Sequence, residues 1–100
     1  MKHNKLVRDK IPDIIKNRGG SVKIHIASDK EFSEKINEKL QEEVGEFLVS
    51  KNPEELVDIL EVVYAIANLH GIDEKTLDLK RKKKAEIKGK FTRRIILDEN

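Results

Sequence analysis

The chain has 100 residues, of which 37% are hydrophobic, 40% charged and 4% aromatic, and its formal net charge is +2. This length allows one domain, and no stretch approaches the ~20 apolar residues that a membrane-spanning helix needs. The absence of cysteine excludes disulfides, thiolate metal sites and cysteine nucleophiles. Because the N-terminus lacks an apolar secretory core, we expect a single cytoplasmic domain over residues 1–100.

The charges are unevenly distributed along the chain. Residues 1–30 carry a net charge of +5, residues 31–61 a net charge of −7, and residues 80–94 a net charge of +8. An acidic centre between two basic segments suits a ligand that is both metal-complexed and anionic. It is equally consistent with an acidic helix that pairs with basic helices.

The first third of the chain predicts one short helix between irregular segments. Residues 1–10 are polar, and we expect them to be extended. A short helix begins at Pro12, because proline is favoured in the first turn, and it ends at Gly19-Gly20. Apolar and polar residues alternate over residues 22–26, which is a weak strand signal that an extended loop explains equally well.

A long amphipathic helix is predicted next, over about residues 30–50. Ser28 or Asp29 caps its N-terminus, and its apolar residues recur at helical spacing. The following turn places Asn52 as the N-cap and Pro53 as the first residue of another helix.

The helix predicted from Pro53 to about His70 has almost no polar face, as the run LVDILEVVYAIANL shows. Such a helix is normally buried on all sides, and a chain this short has too few other apolar segments to surround it. We therefore expect a homodimer, with a tetramer left open, whose helical core is shared between the subunits.

The last predicted helix begins at an Asp73 cap and ends near Gly89, with Ile72 and Leu77 placed as a hydrophobic staple. A short extended arm follows over residues 91–97. The fold class expected from these elements is all-α: a helical bundle completed by dimerisation, with short extended N- and C-terminal segments.

Two groups of carboxylates stand out on the two central helices. Glu42, Glu43 and Glu46 belong to the first helix, and at about 100° per residue Glu43 lies beside its apolar face. Glu55, Asp58 and Glu61 follow one slanting stripe of the second helix, and Asn68 lies further along on the same side as Glu61. If the two helices pair in antiparallel fashion, both groups meet.

Structural explanations compete with a functional one for some of these residues. Glu42 points away from the apolar face, so a solvated charge is the favoured interpretation. Glu55 lies in a first helical turn, where acids favour the dipole, and Asn52-x-x-Glu55 resembles a capping box. Asp58 and Glu61 have no such explanation, because they lie deeper among apolar residues, where a lone acid is costly.

Carboxylates that converge near a core repel one another unless a cation compensates them. Mg²⁺ prefers hard oxygen ligands and is often shared between carboxylates and substrate phosphates. The pattern therefore favours a magnesium site, with Mn²⁺ as a substitute, that neutralises phosphate charge and activates the attacking water.

The motif Glu-Glu-x-x-Glu followed by Glu-x-x-Asp on consecutive helices resembles the all-α nucleoside triphosphate pyrophosphohydrolase superfamily, which includes MazG and phosphoribosyl-ATP pyrophosphohydrolase. The opening NKLVRDKIP, residues 4–12, is similar to the start of a small single-domain branch of that superfamily. Only eight residues separate Glu46 from Glu55, which is shorter than in MazG and favours the compact branch.

The resemblance implies Mg²⁺ held by Glu43, Glu46, Glu55 and Asp58, with Glu42 and Glu61 as further candidates. It also implies cleavage between the α and β phosphates of a nucleotide, which releases a monophosphate and pyrophosphate.

Phosphoryl chemistry also needs cations that hold the phosphates. The candidates for binding substrate are Arg8 and Lys10 in the opening, Asn68, and Lys84 and Lys88 in the basic segment. Most of the Lys80–Lys84 run is better explained as a solvated helix face.

The leading hypothesis is thus a Mg²⁺-dependent nucleotide pyrophosphohydrolase. The alternative is a non-enzymatic dimer that binds nucleic acid through its basic C-terminal segment. The acidic centre and the lack of a nucleic-acid-binding motif argue against that alternative. A third reading is a relative that has kept the fold and lost the activity.

Overall fold

The computed structural model describes residues 4–100, and within them the chain is all-helical, without a strand. The four helices are α1, Ile11–Asn17; α2, Asp29–Ser50; α3, Glu54–Leu69; and α4, Glu74–Lys88. This confirms the expected all-α class. Residues 22–26, which the sequence allowed as a strand or an extended loop, form a loop. Residues 4–8 form neither helix nor strand, while residues 1–3 of the segment expected to be extended lie outside the described part.

Short polar side chains begin three of the helices as the sequence predicts. Ser28 Oγ accepts a hydrogen bond from the Glu31 N–H at 3.2 Å, which settles the choice between Ser28 and Asp29 at the start of α2. Asn52 Oδ1 accepts from the Glu54 N–H at 3.1 Å, and Asp73 Oδ1 accepts from the Thr76 N–H at 2.8 Å. Each cap satisfies an N–H group that has no partner within its own helix.

The helices are terminated by residues in left-handed or irregular conformations. Gly71, with φ of 76°, follows α3 and allows the Ile72 N–H to donate to the Ala67 carbonyl at 2.9 Å. Lys51 adopts φ of 58° after α2, so that the chain reverses within three residues and α3 packs against α2. This tight reversal brings the second half of α2 beside the first half of α3.

The apolar core of a single chain is small. Its buried apolar residues are Ile36 of α2 and Val62 and Ala67 of α3, while α4 packs against α3 by a smaller contact. Leu56, Val57 and Leu60 form a stripe on α3 that is about half exposed. Since α2 and α4 cover only part of the circumference of α3, a single chain does not surround this helix, as expected for a chain of this length.

The overall dimensions also show an open molecule. The chain measures 56 × 32 × 23 Å and has a radius of gyration of 17.6 Å, whereas a compact domain of this length has about 13 Å. Its accessible surface is 9337 Å², against about 5,800 Å² for a folded monomer of equal mass. Among residues 4–100, no helix is both long and apolar enough to cross a bilayer.

Candidate metal centre

The two acidic groups predicted on consecutive helices meet in the structure. Oxygen atoms of Glu43 on α2 and of Glu55 and Asp58 on α3 lie within 4.8 Å of one another. A second set with the same spacing consists of Glu42, Glu43 and Glu46 on α2. Three of the four residues that the resemblance implies as metal ligands, Glu43, Glu55 and Asp58, therefore form one set, while the fourth, Glu46, is exposed and belongs to the set with Glu42; Glu43 is common to both sets.

Glu43 is the buried member of this acidic cluster. Its side chain is only 9% exposed, and its Oε2 atom is buried without a hydrogen-bond partner. Its Oε1 atom lies 3.4 Å from Lys39 Nζ, one turn earlier on α2. Lys39 thus pairs with one oxygen of the carboxylate, while the other oxygen is buried and receives no hydrogen bond.

The surroundings of Glu43 disfavour its charged form. Burial raises the pKa of the Glu43 carboxyl above its ordinary value, and the neighbouring Glu46 carboxylate raises it further. Lys39 acts in the opposite direction without cancelling the shift of the pKa. A cation placed among these carboxylates would oppose the rise of the Glu43 pKa, because it stabilises the ionised form directly.

The Glu55 side chain does not form the capping-box hydrogen bond that the sequence suggests. In a capping box the Glu55 side chain would accept from the Asn52 N–H. Here the Asn52 N–H instead donates to Ser50 Oγ at 3.1 Å, and the Glu55 N–H donates to the Asn52 carbonyl at 3.0 Å. The Glu55 carboxylate is half-buried beside Glu43 and remains available to a ligand.

Asp58 and Glu61 are more exposed than the sequence indicates. The Asp58 side chain is 42% exposed and that of Glu61 is 57% exposed, because this side of α3 faces solvent. Arg8 compensates their charge: its Nη2 donates to Asp58 Oδ1 at 2.8 Å, and its Nη1 lies 3.9 Å from Glu61 Oε1. The buried acid of the site is therefore Glu43, and the expectation of deep burial at Asp58 and Glu61 is corrected.

Glu42 is also more involved than a freely solvated charge. It is half-buried, its Oε2 lies 3.4 Å from Lys39 Nζ, and its Oε1 lies 3.6 Å from Lys5 Nζ. Sequence reasoning did not single out Lys39 or Lys5. The spacing of Lys39 from Glu42 and Glu43, three and four residues, was the signal that could have identified the first.

The remaining predicted substrate residues are not gathered at the acidic cluster. Lys10 is exposed in the turn before α1, and Asn68 is exposed roughly 15 Å along α3 from Asp58. Lys84 and Lys88 are exposed on α4, and within residues 4–100 neither forms an ion pair with the cluster. Arg8 is the predicted substrate residue that the fold places against it.

An open cleft lies beside the acidic cluster, between the end of α2 and the start of α3. It is a shallow depression that is largely open to solvent, with a volume of about 610 Å³. The residues that line it are Glu42, Gly45, Glu46, Val49, Ser50 and Glu55. The space beside Gly45 is open, since a Cβ atom built on this residue meets no other atom within 4 Å.

The residues present fit a hard divalent cation. All candidate donors are carboxylate oxygens, the ligand type that Mg²⁺ and Mn²⁺ prefer. Buried polar groups normally have a hydrogen-bond partner, and Glu43 Oε2 has none. This unpartnered oxygen favours a bound cation more strongly than a cluster of acidic residues would on its own. Searches of known protein families, curated proteins and solved structures find no match to this chain.

Proposed function

We propose that the protein is a Mg²⁺-dependent nucleotide pyrophosphohydrolase, which cleaves the α–β phosphoanhydride of a nucleoside triphosphate or related nucleotide. The observation that carries the proposal is Glu43, whose carboxylate is buried with one oxygen unpartnered and lies, through one of its oxygens, within 4.8 Å of two further carboxylates from α3. A purely structural cluster would be expected to satisfy or replace such a group.

In this proposal Glu43, Glu46, Glu55 and Asp58 hold the cation. When bound there, Mg²⁺ supplies Lewis-acid neutralisation of phosphate charge. The surface of the cleft is mostly apolar, but Glu42, Glu46 and Glu55 lie around it, so their charge would repel a free polyphosphate. An anionic substrate and this cleft are compatible only when a cation lies between them, which links the cleft to the proposed chemistry.

Arg8 is the basic residue best placed to assist. Its guanidinium already lies at the edge of the acidic cluster, and its planar fork of N–H donors suits phosphate oxygens. Lys10, Lys84, Lys88 and Asn68 remain candidates for binding other parts of the nucleotide.

We also propose that the functional unit is a homodimer formed through α3. The chain exposes about 3,500 Å² more surface than a compact monomer of its mass, and obligate dimers bury about 2,000–5,000 Å² over both subunits, which is about 1,000–2,500 Å² per chain. The stripe of Leu56, Val57 and Leu60 is the apolar surface that a second copy would cover. The uncovered side of the hairpin contributes to this excess surface, and so does the exposed C-terminal segment after α4.

Release of pyrophosphate tests the enzymatic proposal. Standard and modified nucleotides are incubated with the protein in the presence and absence of Mg²⁺. We expect turnover that needs the metal and that falls more than about a hundred-fold in Asp58→Asn, since even groups that only orient metal ligands contribute about 10–100-fold. Glu34→Gln is the matched control, because Glu34 is an exposed acid of α2 outside the cluster.

Full activity in Asp58→Asn would contradict the assignment of the ligands. If no nucleotide were turned over, and nucleic acid bound with an affinity that falls steeply with salt in both variants, the nucleic-acid-binding alternative would be favoured.

The mass in solution tests the dimer. Light scattering should give twice the chain mass for the natural sequence and the monomer mass for Leu60→Lys. Ile87→Lys, an exposed residue of α4, should leave the mass unchanged. A monomeric natural chain that unfolds cooperatively would overturn this part of the proposal.

A further inference from the structure

The N-terminal arm, residues 4–10, is attached to the acidic cluster by two cations. Arg8 donates to Asp58 Oδ1 at 2.8 Å and approaches Glu61, while Lys5 lies 3.6 Å from Glu42 Oε1. The arm has no helix or strand over residues 4–8, and only a turn connects it to α1, where the Ile11 N–H donates to the Arg8 carbonyl at 3.1 Å. Its position therefore depends on side-chain contacts, namely these ion pairs and the half-buried Leu6.

Arg8 and a divalent cation need the same carboxylate. Asp58 contributes an oxygen to the set shared with Glu43 and Glu55, and Arg8 binds that side chain from the outside. Both partners of the ion pair are about half exposed, so water screens their attraction and the bond is weak. A divalent cation that contacts several carboxylates at once would bind Asp58 more strongly than Arg8 does.

The chain's own cations leave the centre of the cluster uncompensated. Arg8 and Lys5 neutralise acids at its edge, and Lys39 reaches only one oxygen of Glu43. The Glu43 Oε2 atom keeps no partner, so the ion pairs of the arm leave the buried oxygen uncompensated.

We infer that Arg8 is a displaceable internal counter-ion of the metal centre. It neutralises Asp58 in the metal-free chain and is released when a divalent cation takes that carboxylate, which opens the arm. The inference rests on the proposed function. It adds that the metal binds first and that Arg8 becomes available to an anionic ligand only afterwards. The arm thus suppresses binding of polyphosphate to the metal-free protein.

Calorimetric titration with Mg²⁺ and NMR of the arginine side chains test this inference on the full chain. Arg8→Gln removes the competitor, so we expect its Kd for Mg²⁺ to be about two- to five-fold lower than that of the natural chain, the range set by an exposed ion pair. The control is Arg18→Gln, which removes an exposed arginine that forms no ion pair within residues 4–100. Its Kd should equal that of the natural chain.

The NMR signals separate displacement from a mere effect of charge. In the metal-free protein the guanidinium of Arg8, assigned by its loss in Arg8→Gln, should show restricted rotation. On addition of Mg²⁺ it should become as mobile as that of Arg18, and the backbone signals of residues 4–10 should shift in parallel.

The outcomes distinguish the two levels of the proposal. If the natural chain binds no Mg²⁺, the metal centre itself is refuted and this inference with it. If Mg²⁺ binds while the Arg8 signals stay restricted, or if Arg8→Gln binds Mg²⁺ no more tightly, Arg8 is not displaced and the metal centre stands without this device.

Discussion

The substitution Glu43→Gln should make the metal-free protein more stable and at the same time abolish its response to metal. It keeps the shape of the side chain, removes the buried charge, and provides an amide that can donate to the Glu46 carboxylate. A buried polar group without a partner costs about 1–3 kcal/mol. The lost pair with Lys39 stabilises by only about 0.3–0.5 kcal/mol, as helix pairs one turn apart do.

The net gain is therefore about 1 kcal/mol at neutral pH, which raises the Tm by about 4–8 °C in a domain of this size. Its pH dependence follows from the raised pKa of Glu43. A carboxyl whose pKa is raised in the folded state contributes stability at pH values below its unfolded pKa, and loses that contribution as pH rises through the folded pKa. The advantage of Glu43→Gln should thus be absent in acid and complete at neutral pH.

Thermal unfolding with and without Mg²⁺ gives the decisive comparison. At a metal concentration about 100-fold above the Kd, the natural chain gains about 2.7 kcal/mol and Glu43→Gln gains nothing. The order of stability should therefore reverse between the two conditions, while Glu34→Gln follows the natural chain in both. A Glu43→Gln protein that is less stable than the natural chain without metal would refute the reasoning, because Glu43 would then be satisfied in the native state.

Three further substitutions test the local physics around the site. Gly45→Ala should stabilise the chain by about 0.5–1 kcal/mol in urea titrations, because alanine is the better helix former and its methyl group meets no atom of the chain; a loss of stability would show that something else occupies this cleft. Ser28→Ala should cost about 1 kcal/mol by the same assay, since it removes the N-cap of α2, and an unchanged midpoint would contradict that role. Asp73→Ala should lower the Tm at neutral pH and not in strong acid, because bonds from Thr76 lower the pKa of Asp73 in the fold and their stabilisation is lost as pH falls through that pKa; a pH-independent loss would argue against the carboxylate as the cap.

The helices and their boundaries could be predicted from the sequence because local chemistry decides them. Asn52 and Asp73 supply the caps and Gly71 the reversal, and each acts within a few residues of its own position. The pairing of Glu43 with Glu55 and Asp58 was also predictable, because a turn of three residues between two helices forces their adjoining ends together.

The burial of individual acids could not be predicted in the same way. Asp58 is surrounded by apolar residues in the sequence, yet α3 has an uncovered side and Asp58 lies half exposed at its edge. Glu43 lies beside the apolar face of α2, but that position alone does not show that its side chain is nearly closed off from solvent. Burial depends on which helix covers which face, and that information belongs to the tertiary arrangement.

The exposed apolar stripe on α3 and the acidic cluster need different kinds of partner. The exposed stripe on α3 needs apolar area, which a second copy of the chain can supply without any small molecule. The acidic cluster needs positive charge at its centre, where Arg8 and Lys5 pair only with acids at the edge and Lys39 reaches only one oxygen of Glu43. Dimerisation through α3 would not by itself bring a cation to Glu43 Oε2, since the stripe is apolar. For this reason stability that depends on protein concentration and stability that depends on Mg²⁺ should be separable: Leu60→Lys should remove the first and Glu43→Gln the second.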